Sequence, residues 1–285
     1  MQARLLVSVH VLATAAISLL AIRLAGGGDA AIGLQAGAFM LAGIIASYRS
    51  WPALVERLPA PWPIGAGLLL AAGVLLFGVE IEGARRWLRI GPLVLQPAVL
   101  LGSFLLLALA RADAGPPSAI LAGLALLLVG IGNDGGTSLA FALGMTGLLA
   151  GSPAAWRRLL PLCLLACVMA AWGWTRPDAL PSVAHVEEVV SRAAAVSVAA
   201  GLAASIALAL LPLPFLLAAR ARSGRAGPLA LAGFWGGLAL AGVTANYPVP
   251  VIGYGASFVL GWVLALGALK PAAAPLNRNG DRTHA

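Results

Sequence analysis

Residues 5–24 read LLVSVHVLATAAISLLAIRL, an apolar run that contains only His10 and Arg23 as titratable groups. A helix rises about 1.5 Å per residue and needs roughly 20 apolar residues to cross a hydrocarbon core of about 30 Å, so this run is one crossing. It follows Arg4, as a secretory signal would, but it is longer than a typical signal core, and Arg23 spoils the small-residue cleavage pattern. It therefore reads as the first permanent span. Nine further apolar blocks follow, at about 31–48, 64–79, 93–110, 118–132, 136–151, 159–175, 193–219, 228–245 and 255–269. None shows the strict alternation of a barrel strand. The chain thus reads as all-α, a polytopic membrane helical bundle of about ten transmembrane helices. It forms one domain over residues 1–270, with residues 271–285 a disordered cytoplasmic tail.

Composition agrees. The 285 residues are 61% hydrophobic and 10% charged, with a mean hydropathy of +0.96, which excludes an ordinary soluble domain. The formal net charge of +8 does not point to nucleic acid, because the basic residues lie in short loops rather than along one face. Ten spans put both termini on one side. With that side cytoplasmic, its loops hold twelve of the 18 basic residues and three of the ten acids, as the excess of Lys and Arg in cytoplasmic loops requires. The expected location is the inner membrane, both termini in the cytoplasm. The two cysteines, Cys163 and Cys167, stand one helical turn apart in an apolar block and read as buried small hydrophobes. No metal-ligand set surrounds them.

Four polar stretches interrupt the apolar pattern. The first is Glu80-Ile81-Glu82-Gly83-Ala84-Arg85-Arg86-Trp87-Leu88-Arg89-Ile90-Gly91-Pro92, followed by Gln96-Pro97. Three arginines on the outer face run against the charge rule, so either an anionic lipid or pyrophosphate meets them or they anchor to headgroups beside Trp87, paired by Glu80 and Glu82. The second is Gly132-Asn133-Asp134-Gly135-Gly136. It joins two tilted helices or interrupts one long one, and Asp134 is either a functional carboxylate near hydrocarbon or a solvated cap near Thr137.

The third stretch runs from Arg176 through Pro181 and His185 to Glu187 and Glu188, with Arg192 beyond. A carboxylate here could act as a general base oriented by His185, or both acids could complement the first turn of a helix. The fourth is Asn246-Tyr247-Pro248-Val249-Pro250-Val251-Ile252-Gly253-Tyr254-Gly255-Ala256-Ser257. Its prolines and glycines forbid a regular helix, so its backbone must be covered by protein or line a polar cavity. Pro212 and Pro214 should kink or end the eighth span.

In order, these stretches resemble the SEDS family of cell-wall proteins, the RodA, FtsW and SpoVE group. Gly83-Ala84-Arg85-Arg86-Trp87, Gly91-Pro92 and Gln96-Pro97 are similar to its G-A-R-R-W…G-P…Q-P signature. Asp134-Gly135-Gly136-Thr137 resembles Q-P-D-L-G-T, Leu180-Pro181 with His185-Val186-Glu187 resembles L-P…H-T-D, and residues 248–257 resemble P-L-P-F-I-S-Y-G-G-S. The resemblance implies a glycosyltransferase that polymerises lipid II, an undecaprenyl-pyrophosphate-linked substrate, beside a penicillin-binding transpeptidase partner, with membrane lipids as its surroundings and no nucleic acid. Glu187 then stands at the family's catalytic carboxylate. Arg85, Arg86, Trp87, Gln96, Asp134, His185, Glu188, Tyr254 and Ser257 are the candidate substrate-binding residues, and a divalent cation is an open cofactor question.

The chain also departs from the family pattern. Ala98, Val99 and Gly102 stand where the family continues with Ser, Glu and Lys, and the outer loop before the eighth span is short. A non-catalytic member that binds a polyprenyl lipid or a partner protein is the alternative implied. A lipid flippase or transporter would need a polar midplane pathway, for which the spans offer little.

Overall fold

A computed structural model describes residues 2–91, 93–111, 114–176, 181–221 and 224–269. Pro92, Leu180 and the tail at 271–285 lie outside the described residues. Although the fourth opens with a short strand at Leu93–Leu95, each of the ten apolar blocks holds helix. In chain order these are α1 (Gln2–Leu24), α2 (Asp29–Ser47), α3 (Trp51–Arg57), α4 (Pro61–Phe77), α5 (Pro97–Leu109), α6 (Pro116–Ile131), α7 (Gly135–Gly151), α8 (Trp156–Trp174), α9 (Val189–Val196), α10 (Val198–Ala209), α11 (Leu213–Arg220), α12 (Ala226–Thr244) and α13 (Ala256–Ala268). Proline opens α4, α5 and α6, where its missing N–H costs no helical bond.

Among the described residues, five helical segments are long and apolar enough to cross a membrane by themselves. The bent pair α3–α4, which turns through 87°, could add a sixth. The helices α5, α6, α7 and α13 are apolar but only 13 to 17 residues long, and one end of each meets the polar loops at one end of the bundle. The eighth block is divided twice. The break expected at Pro212 and Pro214 separates α10 from α11. A second break falls at Ser197, whose hydroxyl caps α10 by accepting from Ala200 N at 3.3 Å, a boundary hidden in sequence by the surrounding valines and alanines.

The loop after α4 is more regular than its sequence suggested. It forms a three-stranded antiparallel sheet, β1 (Val79–Ile81), β2 (Ala84–Ile90) and β3 (Leu93–Leu95), in the order β1-β2-β3. Glu82 and Gly83 both have positive φ, 49° and 79°, the conformation of the two-residue turn that matches strand twist.

The tightest helix packing is between α7 and α12. A Cβ placed on Gly233 would lie 2.2 Å from the Leu143 carbonyl oxygen, and one on Gly147 would lie 2.3 Å from that of Leu229. Small residues therefore bring the two backbones into contact, which is how helices gain dispersion energy where lipid supplies no hydrophobic drive. Cys163 is buried as expected, but Cys167 is exposed. The buried stripe of α8 runs through Leu159, Leu162, Cys163, Ala166 and Ala170, which leaves Cys167 on its lipid-facing edge.

Candidate functional site

Successive residues of a strand point to opposite faces, and in β2 this separates the two adjacent arginines. Arg85 faces outward: Nε donates to Glu80 Oε2 at 2.6 Å and Nη1 to the Leu75 carbonyl at 2.7 Å. Arg86 faces inward and is 4% exposed. Its Nε donates to the Asn133 carbonyl at 3.0 Å, and its guanidinium carbon lies 5.7 Å from the Trp87 ring centroid and 5.9 Å from that of Tyr247. The turn after α6 receives the strand closely, with Arg85 N donating to the Gly132 carbonyl at 2.9 Å. A Cβ at Gly132 would come within 2.6 Å of the Arg85 carbonyl, so the short side chain there permits the approach.

Below Arg86 lies a buried polar network. Asp134 caps α7, one carboxylate oxygen accepting from Thr137 N at 3.1 Å, and the other accepts from Gln96 Nε2 at 2.9 Å. The capping contact is thus made, but Asp134 is 3% exposed rather than solvated. Gln96 Nε2 also approaches Tyr247 OH at 2.9 Å, and Thr137 Oγ1 and Tyr247 OH are 2.7 Å apart. Ser257 Oγ accepts from the Gln96 backbone N–H at 2.8 Å. A Cβ on Gly136 would sit 2.3 Å from the Tyr247 ring, so the glycine admits that ring against the start of α7.

Tyr247 belongs to residues 245–255, the segment whose composition forbade a helix, and protein covers it. Gln35, fully buried on α2, donates from Nε2 to the carbonyls of Val251 and Gly253, each at 3.1 Å, and accepts from Gly255 N at 3.1 Å. Ser18 on α1 donates to the Ile252 carbonyl at 3.0 Å. Val251 has φ 65°, unfavourable for a β-branched residue and held by these bonds. Sequence reading passed over Ser18 and Gln35; the available signal was a polar group in mid-span, where a partner is required. Replacing Gln35 by Leu leaves two carbonyls and an N–H without partners, each worth about 1–3 kcal/mol, so hydrogen exchange at 251–255 should quicken by at least about tenfold while that of α7 stays slow.

The same segment holds the turn that carries the acids. Val249 N donates to the Val186 carbonyl at 3.2 Å and Tyr254 N to that of His185 at 2.9 Å. The His185 and Tyr254 rings lie 5.8 Å apart. A Cβ on Gly253 would be 2.5 Å from the Val186 carbonyl. Glu187 is half-buried in this turn, its Oε2 accepting from Val183 N at 2.8 Å. Glu188 is turned to a different set of partners, Ser182 and Arg192.

The Ser182 hydroxyl first, then Arg192, holds the Glu188 carboxyl below the usual carboxylate range. A depressed folded-state pKa gives stability present above the unfolded value and lost as pH falls through the folded one. The contribution of this carboxylate to the turn should therefore be complete above the ordinary carboxylate range and fall away progressively from there through the lowered folded value. Carbon-detected NMR titration of Glu188 checks this, and Ser182→Ala should move the midpoint upward.

Between these elements is a cleft of about 90 Å³ lined by Arg86, Asn133, Gly136, Gly173, Arg176 and Tyr247, among others. Arg176, whose guanidinium carbon stacks 4.3 Å from the Trp172 ring centroid, was legible in sequence only as a loop cation. The structure thus gathers Arg86, Gln96, Asp134 and Ser257 into one connected site, ties His185, Glu187 and Tyr254 to it through residues 245–255, and turns Arg85 and Glu188 to other partners. Trp87 flanks the site, half-buried. Among the described residues no three His, Cys, Asp or Glu side chains gather as a metal-binding group.

No family model matches the chain. It is 32% identical over 157 residues to the probable peptidoglycan glycosyltransferase FtsW of Nitrosococcus halophilus, covering 50% of this chain and 41% of that protein. It is 43% identical over 79 residues to the probable peptidoglycan glycosyltransferase FtsW of Aromatoleum aromaticum, covering 27% and 17%. These matches span less than half the length of the curated relatives. Likeness in structure extends further. The rod shape determining protein RodA of Thermus thermophilus superposes with a TM-score of 0.66 at 26% identity, over 92% of this chain and 94% of that one. A chain from a peptidoglycan synthase complex that coordinates polymerization and crosslinking superposes at 0.63 and 26% identity, over 91% and 95%. With the Gly83–Trp87 hairpin, the Asp134 cap and the irregular 245–255 segment all on a RodA-like helical membrane bundle, the chain belongs to the SEDS family.

Proposed function

We propose that this protein is an inner-membrane glycosyltransferase of peptidoglycan synthesis that polymerises lipid II, with both termini cytoplasmic and the hairpin end facing outward. The observation that carries the reading is that one segment, residues 245–255, packs Tyr247 against Arg86 and also hydrogen-bonds the turn that bears Glu187. A cation suited to a pyrophosphate and a carboxylate suited to a proton are held by a common scaffold. In the reaction, Glu187 takes the proton of the acceptor sugar hydroxyl as its oxygen bonds to the anomeric carbon of the donor sugar. The bond from that carbon to the pyrophosphate oxygen breaks, and Arg86 meets the charge that develops there. Glu187 must first release Val183 N–H, a rearrangement within its own turn. A cleft of about 90 Å³ is on the scale of a phosphate group, so the sugars would lie beyond its mouth. The relation to a synthase-complex chain supports a penicillin-binding transpeptidase as partner.

Polymerisation of labelled lipid II by the purified protein with its partner should fall by about 10²-fold or more in Glu187→Ala and in Glu187→Gln, the usual worth of a general base. Unchanged activity in both would remove Glu187 from the reaction. One observation favours a non-catalytic, lipid- or partner-binding member instead. Val99 is fully buried, and a Cβ at Gly102 would lie 2.4 Å from the Phe234 ring, so the α5 face that is polar in the family is here closed by apolar packing. Glycan chains made by the purified protein would dismiss that reading.

A further inference from the structure

A cavity of about 580 Å³ lies at the end of the bundle away from the hairpin. Chain order fixes that position: α4 runs toward β1 from Pro61 and α5 runs away from Gln96 toward Arg111, and the cavity is formed by α3, the start of α4, the far half of α5, the start of α12 and the end of α13. Its walls are apolar, including Leu54, Leu101, Phe104, Leu107 and Leu264, and its charged lining groups are Glu56 and Arg111. It runs along α5 from Leu100 to the helix end at Leu109, about 14 Å, and on to Arg111 just beyond. That is about half of a 30 Å hydrocarbon core.

The groove is built rather than incidental. Trp51 Nε1 donates to the Leu264 carbonyl at 3.0 Å and its ring meets Phe104 edge-on at 5.9 Å, which fastens α3 across the opening. Arg111 Nη1 donates to the Leu58 carbonyl at 2.6 Å and fixes the end of α3. Tyr48 and Trp62, both well exposed, flank α3 and are of the residue types that settle among headgroups. An apolar slot about one leaflet deep, with one basic and one acidic lining group, Arg111 and Glu56, at its polar end, fits the shape and charge pattern of one phospholipid molecule.

We infer that this groove is a binding site for a phospholipid of the leaflet opposite the candidate active site, with one acyl chain along α5 and its phosphate at the Arg111 end. The site is separate from the proposed glycosyltransfer chemistry and does not depend on it.

Native mass spectrometry of the full chain, purified in mild detergent from its membrane, tests the inference. The wild type should retain one phospholipid per chain. Ala66→Trp and Ala268→Trp each place an indole in the groove and should lower retention by about tenfold, the loss expected from expelling only two methylenes. Ile120→Trp, on an exposed face of α6, should change nothing. An empty wild-type protein, a retained polyprenyl lipid in place of a phospholipid, or equal retention in all variants would overturn the assignment. If the filled variants fail to fold, a phospholipid with a photoreactive acyl chain settles the matter on the wild type. Crosslinks should map to residues 100–107, and crosslinks confined to outward faces such as Leu76 and Ile120 would overturn it.

Discussion

Arg86→Ala should reduce lipid II polymerisation by about 10²- to 10³-fold, the range found when one preorganised donor to a developing negative charge is removed, whereas Arg85→Ala should stay within about threefold of wild type. The difference follows from strand geometry. Arg85 is an exposed partner of Glu80, and exposed ion pairs contribute little. Arg86 is sequestered between the Trp87 and Tyr247 rings with its Nε on the Asn133 carbonyl, where low dielectric strengthens its field. Arg86→Lys should rescue poorly, because an ammonium keeps the charge but loses the planar contact with the rings and the fixed fork of donors. Initial rates are measured alongside thermal unfolding, so that a folded but inactive Arg86→Ala protein assigns the loss to chemistry. Equal losses for Arg85→Ala and Arg86→Ala would contradict the assignment.

The largest loss of stability should come from Gly233→Val. Its new Cβ would meet the Leu143 carbonyl at 2.2 Å and the adjoining carbonyl carbon at 2.6 Å, both backbone atoms that cannot rotate away. Overpacking a core commonly costs about 1–3 kcal/mol when side chains can adjust, and here α7 and α12 must separate instead. A cost of about 3 kcal/mol or more should lower the unfolding temperature in detergent by about 10 °C, or prevent accumulation of the protein. Gly224→Ala, with nothing within 4 Å of its added Cβ, should fall within about 2 °C of wild type. Because Asp134 caps α7 and Thr137 lies in its first turn, the Gly233 change should also disturb the polar network at the start of the same helix.

How much of this was legible in sequence differs with the kind of force involved. The apolar helices were, because burial in lipid demands long apolar runs whatever their packing, and each block from 5–24 to 255–269 holds helix, five or six segments being long enough to cross by themselves. The hairpin was not, since Glu82 before Gly83 gives only a faint turn signal and β1 and β3 have three residues each. The adjacent arginines were recognised as a pair, but their separation needed the strand, because only a two-residue period sends neighbours to opposite faces. Asp134 was recognised as either cap or functional carboxylate, and it is a buried cap bonded to Gln96, which spacing could not decide across 38 residues. Ser18 and Gln35 were missed because their partners are backbone carbonyls more than 200 residues away, and backbone acceptors carry no sequence label.

We propose that glycan strands are made at the compact outer site built on Arg86 and residues 245–255. The product distribution formed from fluorescent lipid II is measured for the purified full chain with the penicillin-binding transpeptidase proposed as its partner, the transpeptidase active site blocked, beside the same pair carrying Arg86→Ala. A ladder of glycan chains is expected from the wild type and from Arg85→Ala, and unreacted lipid II from Arg86→Ala. No ladder from the wild-type pair, or an undiminished one from Arg86→Ala, would contradict the proposal.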